Sequence, residues 1–460
     1  MSSKKVYLIV VSIFLSLSME AQSISSSVIE AYRKLVTDST MKYASIGLLV
    51  IDYETHDTII SRNERTGLAP ASTQKLFTSI AGFELLGSSY TYQTTLAYEG
   101  KIEKGILNGN LLVMGSGDPT LGSWRWNSTR GDKIVNDWLH AIRKAGIIKV
   151  RGGISGRASI EYKDGIPGGW IWDDIGNYYG AGSYVINWRE NQYDLILQSD
   201  NQIGGKVKVI DSKPSSILKR NFRNELKAAE KGSGDNAYIY YPVVGNTFLL
   251  KGTIPIGEKN FTISGASHDP GSDLLSEIRQ KAGNITTTHV SFPSAKQAII
   301  HTTSSPVFDS INYWFMKKSI NLYGEALIKT IAFQKTGIAS TETGIDILKE
   351  FWDSKKIDKE SLQILDGSGL SPQNRVTVSA LVEALYYAKK QSWFPSFYNS
   401  LPVINKMTMK SGSIGGARSY AGYHTSTTGK NYIFAIIVNN YSGSSSAAIK
   451  KMFALLDLLK

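Results

Sequence analysis

Between residues 96 and 296 the chain reads differently from either of its flanks. Stretches such as "GKIEKGILNGNLLVMGSGDPTL", "GGISGRASIEY", "YDLILQSDNQIGGKVKVI" and "NTFLLKGTIPIG" are short alternating strand patterns punctuated by glycine-rich turns, with few convincing helices. Residues 22–95 instead open with a helical pattern at Ser26–Leu35, then two strand patterns, Ile46–Tyr53 and Thr58–Ser61. After residue 297 helical periodicity returns in "PVFDSINYWFMKK", "NLYGEALIKTIAFQKTG", "GIDILKEFWDSKK" and "TVSALVEALYYAKK". Three strand patterns, "NKMTMKSGS", "SYAGYHTST" and "YIFAIIVNNY", and a last helix close the chain. The simplest architecture is an α+β domain in two parts, 22–95 and 297–460, split by one or two inserted β-rich domains at 96–296. A chain of 460 residues with 42% hydrophobic and 20% charged residues can fill such cores.

The first residues, "MSSKKVYLIVVSIFLSLSMEAQS", pair a basic start at Lys4 and Lys5 with an apolar run from Val6 to Leu17. This pattern predicts a secretory signal peptide over residues 1–21 and export to the periplasm. The run is shorter than a bilayer span, and no later segment reads as transmembrane. There is no cysteine, which excludes disulfides and thiolate-held metals, and six scattered histidines offer no zinc pattern. Neither metal nor cofactor is expected. A net charge of +12 suits attraction to anionic envelope polymers, while no Lys/Arg run is dense enough for nucleic acid.

The stretch "PASTQKLFTS" at residues 70–79 carries the first chemical signal. Pro70 fits a helix start, and Leu76, Ile80, Phe83 and Leu86 follow at helical spacing. Ser72 and Lys75 would then share one face of the first turn. A serine hydroxyl needs a base, and a lysine amine can serve if burial or a cationic neighbour lowers its pKa. The spacing alone is not decisive. It recurs at Ser2/Lys5, Ser39/Lys42 and Ser216/Lys219, and a helix cap beside a solvated lysine would look the same.

Enzymes that use Ser-x-x-Lys for acyl transfer carry two more elements, Ser-x-Asn and Lys-Thr-Gly. Ser-x-Asn occurs at Ser61, Ser199, Ser310 and Ser319. The literal "SDN" at Ser199 lies between two strand patterns, as a turn would. Ser310 falls inside an amphipathic helix. Ser319 and Asn321 sit at a corner between two helices, from which both side chains can reach a cleft. The literal Lys335-Thr336-Gly337 ends a helix, where Lys and Gly have structural work. Lys410-Ser411-Gly412 lies instead on a strand, whose edge can align an extended peptide.

With these elements in order, and with "GSGDPTL" (115–121), "GWIWDDIGNYYGAG" (169–182), "DGSGLSPQNRVT" (366–377) and "SGSIGGARSYAGY" (411–423), the chain resembles a known family over nearly its whole mature length. It is similar to the low-molecular-weight penicillin-binding proteins of the D-Ala-D-Ala carboxypeptidase/endopeptidase type, peptidase family S13 (DacB-like, PBP4-type). The resemblance implies a serine β-lactamase/DD-peptidase-like fold, with an antiparallel sheet flanked by helices. It implies hydrolysis of peptidoglycan stem peptides through an acyl-enzyme, with β-lactam antibiotics as covalent inhibitors. Ser72 would be the nucleophile, and Lys75 its base, kept neutral by Lys410 and burial. Ser319 would relay the proton to the leaving D-alanine nitrogen, and Asn321 would orient Lys75 and the substrate amide. Lys410 and Ser411 would hold the terminal carboxylate along the strand that includes Gly412. Backbone N–H groups of Ser72 and Ser413 would form the oxyanion hole. Ser411 departs from the usual threonine but keeps the hydroxyl. Trp170, Asp173 or Asp174, and Tyr178 would receive the stem-peptide side chain before D-Ala, an acidic group there suiting an amine; either tryptophan could equally serve the core.

Two other readings compete. A β-lactamase or esterase of the same fold would need a further carboxylate to activate the deacylating water, and none is evident. A non-catalytic cell-envelope-binding protein would have no use for the full set Ser72, Lys75, Ser319, Asn321 and Lys410.

Overall fold

A computed structural model of the chain describes residues 26–283 and 296–460. The expected signal peptide at 1–21 lies outside them. The central sheet has six antiparallel strands, in the spatial order Val403–Ile404, Met407–Ile414, Ala417–Thr425, Asn431–Asn439, Ser45–Asp52, Thr58–Arg62. Both ends of the chain therefore build one sheet. Ser45 pairs with Asn439 and Asp52 with Tyr432, eight consecutive pairs that put an early strand against a late one.

Asn431–Asn439 is buried on both faces, which explains its nearly unbroken apolar sequence. The two-residue side-chain period divides it between two cores. Ile433, Ala435 and Ile437 join Leu49 and Ile51 against the helices Lys75–Leu85, Phe308–Lys318, Asn321–Thr336 and Val378–Lys389. Phe434, Ile436 and Val438 join Leu48 and Val50 against the helix at 26–37 and the last helix, Ser445–Leu456. This is the α+β arrangement of an antiparallel sheet covered by helices.

The middle of the chain builds two further apolar clusters. One lies under a five-stranded sheet that pairs Gln93–Glu103 with Gln297–Ser304 and Ile106–Gly115. The other lies between a three-stranded and a four-stranded sheet. Two longer helices, Gly131–Lys144 and Pro270–Ala282, stand among these strands. Ile134, Val135, Trp138, Leu139 and Ile142 bury one stripe of the first. Asp269 caps the second, with Pro270 at its first turn and Gly283 in the left-handed conformation at its end. Both signals are in the sequence, but glycine-rich strands crowd around them. Among the described residues no helix is long and apolar enough to cross a membrane.

Candidate active site

Pro70 begins a tight turn rather than an α-helix. Ala71 takes a φ of 48°, and Ala71–Gln74 form a 3-10 turn that runs into the α-helix Lys75–Leu85. In a 3-10 turn residues i and i+3 eclipse, so Ser72 and Lys75 are brought into line more closely than on an α-helix. The left-handed alanine places local strain immediately before the serine. Two hydroxyls hold the turn: Thr73 Oγ1 and Ser419 Oγ donate to the Pro70 carbonyl at 2.7 and 2.5 Å. Gly412 lies against it so closely that a Cβ there would come within 2.4 Å of the Pro70 oxygen and 2.9 Å of the Ser72 nitrogen. Only glycine lets that strand touch the turn.

Lys75 is fully buried. Its Nζ stands 2.9 Å from Ser72 Oγ, 2.6 Å from Asn321 Oδ1 and 2.5 Å from the Ser368 carbonyl oxygen. A neutral amine has two N–H groups and one lone pair. The Asn321 and Ser368 oxygens can only accept, so they take both N–H groups and leave the lone pair for the Ser72 hydroxyl. Burial pushes the Lys75 pKa down to about 7, against the pull of the Asp366 carboxylate. Lys410 is not among the causes; the repulsion between the two amines falls on Lys410, pushed well below the usual lysine range by burial first and by Lys75 second. Lys410 Nζ donates to Ser319 Oγ at 3.0 Å and to the Ser411 carbonyl at 2.8 Å. Ser319 is the left-handed end of the helix Phe308–Lys318, with φ 57°, and Asn321 begins the next helix. The helix corner thus brings Ser319 to one lysine and Asn321 to the other.

The loop that supplies the Ser368 carbonyl is organised by Asp366, which is fully buried. Its carboxylate accepts from the backbone N–H groups of Gly369 and Ser371, both at 2.7 Å, and from Gln74, Asn374 and Trp170. Behind it, Glu325 Oε2 accepts from the Gly367 N–H at 3.2 Å. Burial, with the negative charge of Asp366, raises the Glu325 pKa to about 8. This carboxyl keeps its proton at neutral pH.

A cavity of about 830 Å³ opens over Ser72, Ser319 and Asn321. Ser411 and Ser413 line it, while Gly412 is buried against the turn. From Lys410 onward no strand among the described residues pairs with that outer edge. Asp174 and Tyr178 reach the cavity from the middle of the chain. The other two residues offered for that subsite do not line it. Trp170 turns its indole N–H onto Asp366 at 2.8 Å, and Asp173 is exposed one position round the short helix Trp172–Ile175. The Asp174 pKa is raised to about 6, by burial first and by Asp173 second, against a hydrogen bond with Tyr179.

Sequence reading missed Tyr179, which lines the cavity and whose carbonyl accepts from Asn321 Nδ2 at 2.7 Å. It also missed Arg125 and Glu190 at the cavity wall. Glu190 Oε1 accepts from Arg125 Nε at 2.7 Å, Ser123 Oγ at 2.7 Å and Tyr323 at 2.8 Å. Arg189, Glu190 and Asn191 all have positive φ, a strained run that holds this carboxylate in place. Arg and Glu set among aromatic residues in "SWRWNS" and "NWRENQY" were the available hint. Lys318 and Arg418 also line the cavity, whereas the charge of Arg125 is matched by Glu190.

Comparison with known proteins bears on this site. The model of the D-Ala-D-Ala carboxypeptidase 3 (S13) family matches residues 29–458. D-alanyl-D-alanine carboxypeptidase DacB of Haemophilus influenzae is 26% identical over 438 residues, 88% of each chain. A D-alanyl-D-alanine carboxypeptidase of Actinomadura sp. (strain R39) is 24% identical over 456 residues, 92% of this chain and 82% of the relative. The crystal structure of penicillin binding protein 4 (dacB) from H. influenzae shares the fold with a TM-score of 0.78 at 22% identity, covering 94% of this chain and 99% of that one.

Proposed function

The chain belongs to the D-Ala-D-Ala carboxypeptidase 3 (S13) family, and from that premise we propose how its residues hydrolyse the D-Ala-D-Ala terminus of peptidoglycan stem peptides. Ser72 Oγ attacks the carbonyl of the penultimate D-alanine as its proton passes to the Lys75 lone pair. The two N–H groups of Lys75, held by Asn321 and Ser368, keep that lone pair aimed. Backbone N–H groups of Ser72 and Ser413 face the oxyanion; one such donor contributes roughly 10²–10³ in rate. Lys410 steadies Ser319, which returns a proton to the departing D-alanine nitrogen. Lys410 and Ser411 hold its carboxylate. Water then hydrolyses the Ser72 ester. β-Lactams acylate the same oxygen.

The observation that carries this reading is the completely buried lysine whose only remaining direction is the serine. Mapping the adduct of a fluorescent penicillin by mass spectrometry tests it. A label on the peptide holding Ser72 is expected, and a label elsewhere refutes the assignment. A lasting adduct, without nitrocefin turnover, separates the peptidase from a β-lactamase.

The amine of a lysine or diaminopimelate side chain fits Asp174, with Tyr178 and Tyr179 beside it. Trp170 supports the Asp366 loop instead. The inserted segment, proposed at 96–296, supplies this wall. Endopeptidase cleavage of cross-links and a periplasmic location belong to the same proposal. Release of cross-linked dimers from sacculi, and cell fractionation, test them.

A further inference from the structure

Beyond the cavity the inserted region presents a strip of aromatic rings that the peptide chemistry does not use. Trp172 is 43% exposed, yet its indole N–H is tied to the Tyr241 carbonyl at 2.8 Å. The ring is fixed by its edge and leaves surface uncovered. It meets Tyr240 at 4.5 Å between centroids with a 48° tilt, and Tyr240 meets Tyr238 at 6.3 Å with a 36° tilt. Tyr238 and Tyr240 share the outward face of the strand Asn236–Tyr240, while Ile239 between them is buried. Their cross-strand neighbours are Lys251 and Leu249, and the nearby carboxylate, Asp173, comes from the short helix beside Trp172. Tyr238 also lines the cavity, as does Tyr178, which is 54% exposed. The strip is therefore continuous with the cleft that holds Ser72.

We infer that this strip binds the glycan strand of peptidoglycan, with sugar rings laid over Trp172, Tyr240 and Tyr238. The inference rests on the stem-peptide reading above, because the stem peptide is joined to that strand at its far end. At ~3.3–3.6 Å per extended residue, a stem of about five residues brings the sugars within ~17 Å of the bond being cut. The occupant must then be an uncharged, hydroxyl-rich polymer with apolar C–H faces. Tilted rings at a spacing comparable with one pyranose, carrying phenol hydroxyls at their edges, match that chemistry. A protein partner would be expected to bury aromatic anchors in a packed, desolvated centre rather than along an open strip.

The test uses the full chain carrying Ser72→Ala and glycan strands stripped of their stem peptides. Saturable co-sedimentation is expected, weakened about tenfold or more by Trp172→Ala with Tyr240→Ala. Trp172→Phe, which keeps a ring without the tether, should retain most of the binding. In the Ser72 background the paired alanine variant should form the penicillin adduct at the parental rate, showing that the fold is intact. No binding of stripped strands by the parent, or equal binding by the paired variant, overturns the inference. Failure of the parent to form any penicillin adduct would instead strike the peptidase reading, whatever the strands do.

Discussion

Lys75 and Asp174 belong to two regions that meet at one cavity, and both are moved toward neutrality. Lys75 falls from 10.5 to about 7, and Asp174 rises from 3.8 to about 6. The means differ. Lys75 is sealed in the sheet-and-helix domain, with a partner in each direction its nitrogen can use. Asp174 stands partly open on the short helix Trp172–Ile175, shifted by partial burial and by the like charge of Asp173. The contrast separates chemistry from recognition. The proposed base is set by a packed interior, whereas the proposed recognition carboxylate sits on a short helix whose change need not touch Ser72.

The sharpest challenge to that division is Lys75→Arg, which keeps a charge but cannot give it up at ordinary pH. Penicillin acylation of Ser72 should fall by roughly 10²–10⁴, the range for loss of a general base. A variant acylated near the parental rate would end the role of Lys75. Next comes Asp174→Asn. It should lower kcat/KM about tenfold for peptides with a free side-chain amine, a loss of ~1–2 kcal/mol expected when one partner of a part-exposed charge pair is removed. Penicillin labelling should not move. If both fall together, the two regions are not separable.

The pH profile divides them again. Lys75 has a lone pair only once deprotonated, so acylation should rise with pH through about 7. Asp174 gains its charge above about 6, so discrimination in favour of amine-bearing peptides should fade below that pH. Discrimination that is flat across pH 5–7 would remove Asp174 from recognition. Trp170→Phe deletes one hydrogen bond to the Asp366 carboxylate and should cost ~1.5–3 kcal/mol in urea unfolding. Amine selectivity should be preserved, since the residue belongs structurally to the reactive side. The smallest effect is expected from Glu325→Gln. Its carboxyl holds a proton to about 8, so stability at pH 7 should change by under ~1 kcal/mol. A large loss would mean that the group is ionised there.

The reactive side was the legible one. Ser72 follows a proline, Ser319 sits between two helices, and Lys410 lies on a strand, so local rules could place each side chain before any tertiary contact was known. The same rules set aside the copies at Ser199 and Lys335. Ser199 ends a strand before a turn, and Lys335 closes a helix at Gly337. The recognition side was harder to read. Nothing local says that Asp174 rather than Asp173 turns inward, since that depends on how a four-residue helix docks. The Ser368 carbonyl and the fixed place of Glu190 come from packing between segments far apart in the chain, which no single window of sequence contains. The fold class was legible from helical and strand periodicity, but the helix Gly131–Lys144 was masked by its glycine-rich surroundings.

The pairing of Ser45–Asp52 with Asn431–Asn439 has a consequence for when the molecule becomes reactive. The strand that carries Lys410 joins the sheet through Ala417–Thr425, which pairs in turn with Asn431–Asn439 beside Ser45–Asp52. Such distant pairings form late, because the intervening chain must first be drawn together. Until then Ser72 lacks Lys410 and the strand that borders its turn. The Ser72 turn is therefore expected to stay unreactive until that distant pairing has formed.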